Sequence, residues 1–108
     1  SCIVSAPAAF RFTIPAAPER HAEAARLLGV DTHAMTIEEA AQALPETLIR
    51  IMKNLDMPNG LEALNYTTSD IPDLTEGTMK QQRLLVNSPR SVSQEDLGDI
   101  FHQAMRYW

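Results

Sequence analysis

The sequence predicts an all-α, bundle-like fold, and two amphipathic stretches support this prediction. Between Thr36 and Leu55 the apolar residues recur at steps of three and four, the spacing that places side chains on one face of an α-helix. They are Ile37, Ala40, Ala41, Leu44, Leu48, Ile51, Met52 and Leu55. The end of the chain repeats this spacing with Leu97, Ile100, Phe101, Ala104, Met105 and Trp108. Because other elements must cover the apolar face of such a helix, we predict a single helical domain over residues 1–108, arranged around the Thr36–Leu55 helix.

Local signals mark the ends of the Thr36–Leu55 helix. Thr36 and Glu39 have the spacing of a capping box, in which each side chain accepts a hydrogen bond from the other residue's backbone N–H. The turn-forming residues 56–60 end the helix. Pro45 lies in the helix interior, where a proline removes a backbone hydrogen bond and clashes with the carbonyl four residues earlier. We therefore predict a kink or a break just before Pro45.

Start and stop residues predict the other helices. Pro18 suits the first position of a helix, and Gly29 suits the end of the same helix. Ser69 and Ser93 each suit the cap of a later helix, and residues 61–64 suit a short one. Acidic residues follow both serine caps, where they favour the positive end of the helix dipole: Asp70 and Asp73 after Ser69, Glu95 and Asp96 after Ser93. The Ser69 helix would turn Ile71, Leu74 and Thr78 or Met79 inward.

Two segments give weaker signals. Within residues 1–14, Phe10, Phe12 and Ile14 alternate as in a strand, while Ile3, Ala6 and Phe10 suit a helix that would contain Pro7. Period alone does not decide between strand and helix in so short an apolar run. Residues 80–88 show no helical stripe, so we predict an extended connector there.

Composition and charge exclude several classes of function. Nine lysines and arginines against 14 acidic residues give a formal net charge of −5. Without a basic cluster, binding to nucleic acid is not expected. No apolar run approaches the roughly 20 residues of a membrane span. The single cysteine, Cys2, cannot form an internal disulfide, and no secretory signal is present, which together favour the cytoplasm.

The residues taken alone show no catalytic, cofactor-binding or metal-binding constellation. The three histidines, His21, His33 and His102, are far apart, and one cysteine cannot build a zinc site. His21 on an apolar face is more often a packed histidine than a ligand, His102 is expected in solvent, and Asp31 with His33 suits a turn. Four scattered glycines do not form a phosphate-binding loop. We therefore assign no catalytic, cofactor-binding or metal-binding residue.

Arg83 and the methionines are two further candidates for a functional role. Arg83, beside an apolar part of the connector, could line a pocket, although a surface position is the commoner role for such a residue. The methionines are interpreted as core filler rather than as a binding surface: Met35, Met52, Met57, Met79 and Met105.

Read whole, the chain resembles the C-terminal end of iron-containing (group III) alcohol dehydrogenases, within the dehydroquinate-synthase-like fold. The closest likeness is to the hydroxyacid–oxoacid transhydrogenase branch. Five stretches carry the resemblance, in order: Ala6–Phe12, Pro18–His21, Leu28–Asp31, Asp70–Leu74 and Ser93–Leu97. The resemblance implies a helical domain that follows an N-terminal NAD(P)-binding domain. Because the chain starts at Ser1 in an apolar stretch, we expect it to be a segment of such a longer polypeptide.

The resemblance also implies that the metal ligands lie outside this chain. In this family a divalent iron is held by one aspartate and three histidines, and none of these ligands can be matched here. The last ligand would lie a few residues before Ser1, so Cys2, Phe10 and Phe12 could back the metal site. The connector from Gln81 to Pro89 would run near the active-site cleft, although residues 87–90 read Asn-Ser-Pro-Arg where many members have Asn-Pro-Arg.

The resemblance thus implies a parent NAD(P)- and iron-dependent oxidoreductase, with zinc a possible alternative metal, of which these residues alone are inactive. Such an enzyme would be a homo-oligomer of the cytoplasm, or of the mitochondrial matrix in a eukaryote. Two alternatives stay open at this point. One is a non-catalytic helical module that binds a partner helix, and the other is a separate helical subunit that completes the enzyme.

Overall fold

Helices form the whole regular structure in a computed structural model, which describes residues 2–80 and 90–108. Five α-helices lie within those ranges: α1 (Cys2–Thr13), α2 (Pro18–Leu27), α3 (Ile37–Asn54), α4 (Ile71–Lys80) and α5 (Gln94–Ala104). Three 3-10 turns lie between them, at Ile14–Ala16, Leu61–Leu64 and Thr68–Asp70. No strand occurs in these ranges, so the predicted all-α class is confirmed.

The first helix, rather than α3, is the element that joins the two halves of the fold. Helix α2 packs extensively on α3, and α4 packs on α5. Helix α1 contacts both α3 and α5, so the packing order is α2, α3, α1, α5, α4. The Thr36–Leu55 helix therefore organises the α2 side of the fold, and α1 connects it to α5 and α4. The main apolar cluster lies on the α5 side of α1, and its buried members are Val4, Ala8, Leu61, Ile71, Leu97, Ile100, Ala104 and Met105.

The ambiguous first stretch forms helix α1, and the strand alternative is wrong. Because α1 contacts helices on two sides, apolar residues occur around much of its circumference and blur the period that would identify a helix. Pro7 lies inside the helix and is buried. Proline in this position removes one backbone hydrogen bond from the ladder.

Helices α2 and α3 follow most of their predicted signals. Pro18 is the first residue of α2, and Gly29 adopts a φ of +96° just after its end. Thr36 Oγ1 accepts from Glu39 N at 3.1 Å, and Glu39 Oε1 accepts from Thr36 N at 3.2 Å, which confirms the capping box. A break before Pro45 does not occur, because α3 runs through this buried residue without interruption, while the alternative of a kink stays a prediction. The tertiary packing of the helix offsets the lost hydrogen bond.

The segment before α4 differs from the prediction at its cap. Ser69 does not cap the helix; it lies within the 3-10 turn that leads into α4. Thr67 precedes this turn, and its N–H donates to Asp70 Oδ2 at 2.7 Å. Residues 67–69 all carry hydroxyl groups, so the first of them can cap the helix as well as the third. The short helix predicted at 61–64 is confirmed as a 3-10 turn.

The inward side of α4 is partly as predicted. Ile71 is buried, and Leu74 and Met79 pack against the main cluster. Thr75 is also buried, which the apolar spacing did not indicate, and its hydroxyl has no hydrogen-bond partner within the described part of the chain. The predicted connector at 80–88 starts at the last residue of α4 and otherwise lies outside the described residues.

The last helix and the loop beside it close the apolar cluster. Ser93 Oγ accepts from Asp96 N at 3.1 Å, as predicted for the cap of α5. After α5, the Met105 carbonyl accepts from Glu62 N at 3.0 Å, so the chain end lies against the loop before Leu61. Gly60 makes this close approach possible, because a Cβ there would lie 2.4 Å from the carbonyl oxygens of Ala104 and Met105.

The methionines do not all serve as core filler. Met52 and Met105 are buried, and Met57 and Met79 are partly buried. Met35 is 40% exposed, so the interpretation is wrong for this residue. Met35 precedes the cap of α3 and stands outside its helical stripe, which explains why the periodicity argument does not apply to it.

Candidate functional site

The buried histidine lies at the junction of α1 and α2. His21 is 7% exposed, and its Nδ1 lies 2.6 Å from the carbonyl oxygen of Ala17. Because a carbonyl can only accept, Nδ1 carries a proton. Nε2 lies 2.7 Å from Thr13 Oγ1, and the ring of Phe10 meets the imidazole edge-on at a centroid distance of 5.7 Å. Both ring nitrogens are engaged, which confirms the interpretation of a packed histidine.

The other two histidines, His33 and His102, are exposed rather than buried. His33 is exposed, and its N–H donates to Asp31 Oδ1 at 3.1 Å, as expected of an aspartate in a turn. His102 is exposed on α5, as predicted.

Metal-ligating side chains do not converge among residues 2–80 and 90–108. No group of three histidine, cysteine, aspartate or glutamate side chains there could hold a metal ion. The side chain of Cys2 and the segment from Gln81 to Pro89, which includes Arg83, lie outside the described residues. The expectations about Cys2 and about this segment stay predictions.

A charged cavity lies between α1 and α5. It has a volume of about 280 Å³ and is lined by Arg11, Phe12, Arg90, Asp96, Asp99, Ile100 and Gln103. Arg90 Nη1 donates to the carbonyl oxygen of Phe12 at 2.9 Å, and the guanidinium carbon lies 4.1 Å from the centroid of the Phe12 ring. Two cations face two carboxylates, so the charges of the cavity largely compensate each other. Phe12 is thus covered by an arginine.

Sequence reasoning missed this role of Arg90. The residue attracted notice only as the end of a motif that differs from the family's Asn-Pro-Arg pattern. Arg90 contacts the carbonyl oxygen and the ring of Phe12, a residue 78 positions away in the sequence. Neither periodicity nor capping rules relate positions so far apart. The pair fixes the start of the segment before α5 against α1.

The carboxyl group of Asp96, in this cavity, accepts hydrogen bonds that lower its pKa. Hydrogen bonds from the backbone and then the side chain of Ser93 hold the pKa of Asp96 below its ordinary value of 3.8, and the nearby positive charge of Arg90 acts in the same direction. A lowered pKa in the folded state stabilises the fold above the ordinary value, and this contribution is lost as the pH falls through the folded-state pKa.

Replacing Ser93 should therefore change an acid titration as well as the helix cap. In Ser93→Ala we expect the pKa of Asp96 to rise part of the way toward 3.8, because the side-chain hydrogen bond is lost while the backbone N–H of residue 93 remains. The stability difference from the wild type should shrink as the pH falls below 3.8. NMR titration of the carboxyl carbon checks the first point and thermal unfolding the second. Ser91→Ala, at an exposed serine of the same segment, is the control, and an unchanged Asp96 pKa in Ser93→Ala would contradict the assignment.

Several large apolar side chains of the described residues are open to solvent. Leu27 is 79% exposed and Leu55 is 67% exposed. Ile37, at the other end of the α3 stripe from Leu55, is 47% exposed. Single exposed apolar side chains are common on protein surfaces, and only a contiguous patch of them marks an interaction site. No helix in the described part of the chain has the length and apolar character needed to cross a membrane.

Comparison with known proteins gives a consistent result along the whole chain. Residues 1–105 match the profile of the Fe-containing alcohol dehydrogenase family, C-terminal. The chain is 42% identical over 108 residues to a mitochondrial hydroxyacid-oxoacid transhydrogenase of Xenopus tropicalis, and 39% identical to that of Homo sapiens. In both cases the match covers 100% of this chain and 23% of the relative.

A solved structure agrees with the sequence comparisons. A 1,3-propanediol oxidoreductase superposes on this fold with a TM-score of 0.87 at 25% identity, over 94% of this chain and 26% of the other. The chain thus spans about a quarter of the length of the relatives it matches. It belongs to the iron-containing alcohol dehydrogenase family and corresponds to the family's C-terminal helical region.

Proposed function

We propose that the chain is the C-terminal helical part of an NAD(P)- and iron-dependent oxidoreductase that acts on a small hydroxy acid or alcohol. The observation that carries this proposal is the identity of 39–42% over all 108 residues to hydroxyacid-oxoacid transhydrogenases of two vertebrates. A substrate of the hydroxy acid and oxo acid class is named for those relatives, and we extend it to the protein that contains this chain.

The role we propose for these residues is structural support. Hydride transfer requires a donor held against the substrate carbon and a Lewis acid that polarises the substrate oxygen. We assign no residue of the chain to either task, so the 108 residues alone are proposed to be inactive. Their helices would pack against the regions that hold the nucleotide and the metal. The exposed side chains of Leu27, Ile37 and Leu55 support such packing, because their burial would remove apolar surface from water.

The remaining parts of the proposal concern partners and location. The first partner is an N-terminal nucleotide-binding domain of the same polypeptide, with residues 1–108 forming one helical unit beside it. The assembled enzyme is proposed to be a homo-oligomer. We place it in the cytoplasm, or in the mitochondrial matrix if the source is a eukaryote.

Hydride-transfer assays of two polypeptides, one longer and one of these 108 residues, test the proposal. A longer polypeptide that contains this chain and its N-terminal domain should transfer hydride from a short-chain hydroxy acid or alcohol to an oxo acid or to NAD(P). Chelation should abolish that activity, and ferrous iron should restore it. The 108-residue chain, assayed alone under the same conditions, should be inactive.

Two results would contradict the proposal. The first is a folded longer polypeptide, loaded with iron, that transfers no hydride to any acceptor of these classes. The second is activity in the isolated 108-residue chain. The first result would favour a non-catalytic helical interaction module.

A further inference from the structure

The hydroxyl group of Tyr107 lies within the backbone of helix α1. It donates to the Val4 carbonyl oxygen at 2.6 Å, and Ala8 N donates to it at 3.4 Å. In a regular α-helix the carbonyl of residue 4 and the N–H of residue 8 pair with each other. The tyrosine hydroxyl therefore bridges the two groups of one helical hydrogen bond, from a position 103 residues along the chain from Val4.

Pro7 explains why α1 accepts a hydroxyl at this place. Proline has no backbone N–H, and its ring displaces the carbonyl four residues earlier, which loosens the ladder of the surrounding turn. Val4, Pro7 and Ala8 are each 2% exposed or less, so water cannot readily hydrogen-bond to the backbone groups of this turn. Buried backbone groups without a partner are strongly disfavoured. A hydroxyl that both donates and accepts meets this need.

The chain end that carries Tyr107 is itself held in place. Asn59 Oδ1 accepts from Tyr107 N at 2.7 Å and from Trp108 N at 3.0 Å, and Asn59 Nδ2 donates to the Trp108 carbonyl oxygen. The Met105 carbonyl is bound to Glu62 N. We call residues 105–108 the C-terminal strap. Asn59 fixes the strap on one side, and the Tyr107 hydroxyl fixes it to α1 on the other.

We propose that the C-terminal strap is a latch for helix α1, in which the Tyr107 hydroxyl keeps the turn around Pro7 bonded and Asn59 keeps Tyr107 in position. Opening of the strap would remove the hydroxyl from between the Val4 carbonyl and the Ala8 N–H and would release the first turns of α1 from the core. The latch is formed within these 108 residues, so it holds whether or not the proposed activity is found. Burial raises the pKa of the Tyr107 phenol, which keeps the hydroxyl protonated and able to donate.

Hydrogen exchange in the full-length protein tests the latch. Tyr107→Phe removes one oxygen atom, and we expect the amides around Ala8 to exchange roughly tenfold faster or more, because the buried Val4 carbonyl and Ala8 N–H lose the hydroxyl that bonds both of them. Amides of α3 should keep their wild-type rates. Tyr66→Phe removes the same atom from the other tyrosine, which is 38% exposed, and should leave α1 unchanged.

A second variant tests the part played by Asn59. Asn59→Ala should speed exchange at the same α1 amides, and the double variant with Tyr107→Phe should exchange no faster than the faster single variant, because both act through one contact. Wild-type exchange in α1 of Tyr107→Phe would overturn the proposal. Equal acceleration in α1 and α3 would also overturn it, since it would indicate a general loss of stability. If the two substitutions speed exchange in α1 additively, Asn59 acts independently of Tyr107 and is not part of the latch.

Discussion

Gly60→Ala should cost the chain a large share of its stability. The residue adopts a φ of +80°, a conformation that disfavours side chains, and the added Cβ would lie 2.4 Å from two backbone carbonyl oxygens. Strain of this kind costs about 1–3 kcal/mol. Overpacking costs about 1–3 kcal/mol more. The sum of about 2–6 kcal/mol is a large share of the roughly 5–15 kcal/mol that holds a typical domain together.

Thermal unfolding followed by circular dichroism would measure this effect. Gly77→Ala is a matched control, because Gly77 lies within α4 and a Cβ there would meet nothing within 4 Å. Replacing a glycine inside a helix by alanine should stabilise by about 0.5–1 kcal/mol. The two substitutions add the same atom and should move the melting temperature in opposite directions. A Gly60→Ala protein as stable as the wild type would show that the chain end does not lie against the Gly60 loop.

Met52→Ala is expected to have the second largest effect. Met52 is 1% exposed and is the bulkiest of the fully buried side chains, so truncation leaves a cavity within the α3 side of the core. Loss of the buried atoms and the resulting cavity together cost about 2–5 kcal/mol in comparable substitutions. Chemical denaturation should show a lower midpoint with an unchanged slope.

Met35→Ala provides the comparison within one residue type. Met35 is 40% exposed, and a surface substitution of this kind usually changes stability by less than about 0.5 kcal/mol. Equal effects at the two methionines would mean that Met35 is covered in solution. Such a result would point to an additional part of the protein packed over the start of α3.

The sequence predicted the helices whose signals are local. The Thr36–Glu39 capping box and the Ser93 cap both form as expected, and Asp96 completes a capping box at Ser93 that was not predicted. Pro45 does not break α3, because burial of the surrounding α3 residues outweighs one lost hydrogen bond. Helix α1 stayed ambiguous because it is covered on two sides, so its apolar residues do not follow a single stripe.

The contacts that shape the candidate sites were beyond a reading of the sequence. Arg90 on Phe12, Asn59 on Trp108 and Tyr107 on Val4 join residues 49–103 positions apart. No spacing rule relates such positions, and each of these residue types is common on protein surfaces. The resemblance to a family supplied the fold and the expected chemistry, whereas the particular hydrogen bonds required coordinates.

The position of α1 between the two halves has a consequence for folding during synthesis. Helices α2 and α3 can pair as soon as both have left the ribosome, since they are neighbours along the chain. Helix α1 is made before them, yet its contacts with α5 and Tyr107 form only after residues 94–107 have emerged. Contacts between such distant positions close slowly. Until then, one apolar side of α1 stays open to chaperones and to other nascent chains.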